Sequence, residues 1–68
     1  MNLEERIRLQ LEEFSSEIAK AENQMEEQRA YGKVVGFLIG VKIAVNEKLV
    51  ERACIGTGFD ALFDTLEP

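Results

Sequence analysis

The stretch Val34-Val35-Gly36-Phe37-Leu38-Ile39-Gly40-Val41-Lys42-Ile43-Ala44-Val45 decides the fold, because it can be read with either of two periods. As a strand, Phe37, Ile39, Val41, Ile43 and Val45 alternate with Gly36, Gly40, Lys42 and Ala44, and the β-branched content suits a sheet. As a helix, Gly32, Gly36, Gly40 and Ala44 recur every fourth residue and so line one side, where the missing bulk lets another helix approach closely. Residues 46–55 continue with helical spacing, which tips the balance towards helix. Each interior glycine costs about 1 kcal/mol relative to alanine, so the row calls for a packing reason.

Upstream, residues 2–30 contain neither proline nor glycine. Asn2 followed by Glu5 has the spacing of a helix N-terminal cap. Apolar residues then fall at Leu3, Ile7, Leu11, Phe14, Ile18, Ala21 and Met25, the 3–4 spacing of one helix face held for six turns. From Leu11 onward the spacing reads as heptads, a coiled-coil-like seam. The acidic pairs Glu12 with Glu13 and Glu26 with Glu27 read as a solvated face, offset by Arg6, Arg8, Lys20 and Arg29. Tyr31, Gly32 and Lys33 interrupt the pattern, and glycine after the last periodic residue predicts a helix stop there.

Downstream, Gly56 can end the second helix, and Thr57 with Asp60 can cap a third. Phe59, Leu62, Phe63 and Leu66 lie at i, i+3, i+4 and i+7, one face of a short amphipathic helix. Alone, a helix this short is marginal in water, so it must dock. Its four apolar residues either close the core of this chain or anchor in a partner's groove.

These elements predict an all-α fold. A long N-terminal helix over about 3–30 and an apolar second helix over about 34–55 form a helical hairpin, joined by a turn at 31–33 and followed by a tail helix over about 58–66. The whole is a single domain that assembles into an oligomeric bundle. The alternative is α+β, with residues 34–45 as an intersubunit strand. Oligomerisation is expected because a 68-residue chain usually requires a disulfide, a metal or another subunit. Cys54 is the only cysteine and there is no histidine. Cys54 itself, beside Ala53 and Ile55, reads as a small buried hydrophobe. The expected oligomer interface, of a dimer or tetramer, comprises Leu11, Phe14, Ile18, Met25, Gly36, Phe37, Gly40, Val41 and Ala44.

Functionally the residues point away from catalysis. No histidine is present, Ser15 and Ser16 lie mid-helix without an activating base, and the glycines at 32, 36 and 40 lack the Gly-Lys-Ser/Thr ending of a phosphate loop. No enzyme activity, metal or cofactor is expected. The net charge is −5. Residues 1–31 carry eight acids against four bases, residues 32–55 two against four, and residues 56–68 three against none. A negative surface without a basic cluster argues against nucleic-acid binding. The start Met1-Asn2-Leu3-Glu4-Glu5 does not resemble a signal peptide, and the unpaired cysteine suits a cytoplasmic setting. The apolar run at 34–45 is too short to span a bilayer. The expectation is a small adaptor or regulator that acts by protein–protein interaction as a homo-oligomer. A structural subunit of a viral or secretion particle and an acidic nucleic-acid mimic are the alternatives.

Overall fold

A computed structural model describes residues 1–66 of the chain. They form three α-helices, α1 (Leu3–Lys20), α2 (Gln24–Asn46) and α3 (Asp60–Thr65), with one 3-10 turn at Arg52–Ile55 between α2 and α3. There is no strand among the described residues, and residues 34–45 lie wholly inside α2, so the α+β alternative is not supported.

The hairpin is present, but its bend is ten residues earlier than the sequence reading places it. The chain turns at residues 21–23, and α2 runs without interruption through Tyr31, Gly32 and Lys33. The turn is built from side-chain caps. Asn23 adopts extended backbone, and its side-chain oxygen accepts a hydrogen bond from the Glu26 N–H at 2.9 Å. The Glu26 carboxylate in turn accepts from the Glu22 N–H at 3.0 Å. At the start of α1, Asn2 accepts from the Glu5 N–H at 2.8 Å in the same Asn-x-x-Glu spacing.

Packing explains why breaking the helix at residue 21 is favourable. A straight helix through this point would forgo the burial of Ile7 and Leu11 on α1 against Val34, Leu38 and Val41 on α2, all at most 6% exposed in the folded chain. Each such side chain contributes about 1.5–3 kcal/mol. The turn forfeits only a few helical hydrogen bonds, each worth about 0.5–1.5 kcal/mol net. Across the hairpin, Phe14 and Phe37 meet edge to face with ring centroids 5.6 Å apart. Lys33 pairs with Glu17 at 2.9 Å on the exposed rim.

The second helix also ends earlier than expected, at Asn46 instead of about residue 55. The stop has no glycine. Lys48 takes a left-handed backbone conformation (φ 62°), the Leu49 N–H reaches the Ala44 carbonyl at 2.9 Å, and the Lys48 N–H reaches that of Val45 at 3.0 Å. This is a Schellman cap, with lysine where glycine is usual. The following turn sends Val50, Cys54 and Ile55 back into the core. Gly56, at φ 74° and ψ −160°, then reverses the chain in a conformation open essentially to glycine alone.

The tail helix α3 docks on α2. Phe63 is 2% exposed and sits in the core cluster, with Phe59, Leu62 and Leu66 half-buried beside it. Two cations hold it from different elements. The Lys42 ammonium donates to the Phe63 carbonyl at 3.0 Å and to the Leu66 carbonyl, so a positive charge caps the carbonyl end of α3. It also lies 5.1 Å from the centroid of the Phe63 ring, and the Arg52 guanidinium lies 5.5 Å from the same centroid. Arg52 donates to Asp64 at 2.6 Å, and this hydrogen bond and charge raise the Arg52 pKa further above its ordinary value.

Candidate interaction surface

The hairpin takes up much of the expected oligomer interface. Leu11 and Val41 are buried in the chain's own core, and Phe14, Ile18, Phe37 and Ala44 pack against that core. The physical reason is the position of the bend. With α1 ended at Lys20, its apolar stripe folds back onto α2 of the same chain instead of continuing as a seam for another. Met25 falls beyond the turn and is 70% exposed.

Gly36 and Gly40 have the opposite fate. At about 100° per residue, Gly32, Gly36 and Gly40 lie on the side of α2 opposite Ala30, Val34 and Val41, which are buried. All three glycines are exposed, and a Cβ built on any of them meets nothing within 4 Å. The row therefore has no packing role within this chain. Exposed Met25 and Ile43 continue the same line towards the two ends of α2, with half-buried Ile39 on one flank and Lys33 on the other. The glycines make a bare stripe a little over two turns long. Arg29 lines the groove between α1 and α2 together with Glu13, Glu17 and Glu26, and Glu47 is the cap residue just beyond the end of α2.

Elsewhere the surface offers little chemistry. Among the described residues no group of three or more His, Cys, Asp or Glu side chains could hold a metal ion, and no helix is long and apolar enough to cross a membrane. Burial pushes the Cys54 thiol up from its ordinary pKa, with Glu4 adding to the effect, so at neutral pH it stays protonated inside the core. A groove of about 260 Å³ runs between Arg8, Glu12 and Ser15 on α1 and the Gly56-Thr57-Gly58 loop, open to solvent and with no buried polar group aimed into it.

Lys42 has a role that the sequence reading did not assign, as the cap of α3. Its signal was a single cation within an apolar run, and such a residue commonly finds carbonyl partners when the run is buried. Compared with protein families, curated proteins and solved structures, the chain matches none of them.

Proposed function

We propose that this is a small non-catalytic adaptor or regulatory protein that acts by protein–protein contact as a homo-oligomer, and that the glycine-lined face of α2 is its contact surface. One observation carries the reading: three glycines at spacings of four are open to solvent, with nothing near their missing Cβ atoms. Together they cost α2 about 3 kcal/mol of helix propensity relative to alanine. Nothing inside the chain offsets that cost, whereas close approach of another helix would.

The test is a pair of substitutions at Gly36, read by sedimentation equilibrium and urea denaturation. If the face is a contact surface, Gly36→Leu separates the oligomer into monomers that keep their helix content, since the monomer has room for the side chain. If the chain works alone, Gly36→Ala simply adds about 1 kcal/mol of stability, and the wild type sediments as a monomer at micromolar concentration. That second pattern would refute the proposal.

A further inference from the structure

We draw no further inference here: the strongest candidate, the groove between α1 and α2 at the hairpin end where Glu13, Glu17 and Glu26 face Lys20, Arg29 and Lys33, is open to solvent with its opposite charges already set against one another, and nothing in the structure shows what would occupy it.

Discussion

The Lys42 ammonium holds Phe63 twice, through its carbonyl oxygen at 3.0 Å and over its ring at 5.1 Å. One cation on α2 thus fixes both the main chain and the side chain of the tail's most deeply buried residue. Hydrogen bonds from a charged donor are worth about 1.5–3 kcal/mol. Replacing Lys42 with Met keeps the apolar stem and removes the charge. The expected result is a loss of about that size in urea denaturation, accompanied by faster proteolytic trimming of residues after Ile55.

Phe63→Ala is expected to do more. The side chain is 2% exposed and lies against Lys42, Arg52 and the core cluster. Emptying such a site costs about 3–5 kcal/mol, and a core of this size rarely supplies more than about 3–5 kcal/mol in total. Circular dichroism should show a chain with little cooperative unfolding left at room temperature. A melting curve like that of the wild type would contradict the buried placement of the ring.

Asn23→Ala removes the side-chain acceptor for the Glu26 N–H and is expected to cost about 1 kcal/mol. It also removes the local signal against helix at the bend. Alanine favours helix there, so α1 and α2 can fuse across residues 21–23 and the hairpin can open. Gel filtration should then show a rise in the fraction of dimer that exchanges α1 between chains.

The sequence carried the bend in plain form, since Asn23-Gln24-Met25-Glu26 has the same cap spacing as Asn2-Leu3-Glu4-Glu5. Of the two, the sequence reading takes only Asn2 with Glu5 as a cap. Asn23 lies inside an apolar repeat that continues in register from Leu11 to Met25, and the repeat masked it. Gly32 then looked like the stop, although a glycine inside a helix and one just beyond its end differ only in the backbone angle that tertiary packing selects. The end of α2 was hidden for the converse reason. Its left-handed residue is Lys48, which gives no composition signal at all. What could be read was periodic: the helical character of residues 34–45 from the four-residue glycine spacing, and the shared face of Phe59, Leu62, Phe63 and Leu66 that brings them onto the core. Of the expected interface, Gly36 and Gly40 lie exposed on α2, away from the core. The aromatic and aliphatic positions could not be separated from core, because both demand burial.

The two left-handed positions should respond in opposite ways. Lys48→Gly relieves the side chain's clash at φ 62° and is expected to add about 0.5–1 kcal/mol. Gly56→Ala forces a Cβ into a glycine-only conformation and is expected to cost about 1–3 kcal/mol. Thermal melts of the two variants beside the wild type check both signs.

The six-residue length of α3 carries its own consequence for how the chain opens. A helix of fewer than two turns cannot persist once it leaves its binding site, so undocking and unwinding are a single event. Its amides should therefore exchange with deuterium at one common rate, faster than those at the centre of α2, and Lys42→Met should accelerate all of them together. The chain would then have two levels of opening, a frequent release of its last helix and a rare loss of the hairpin beneath it.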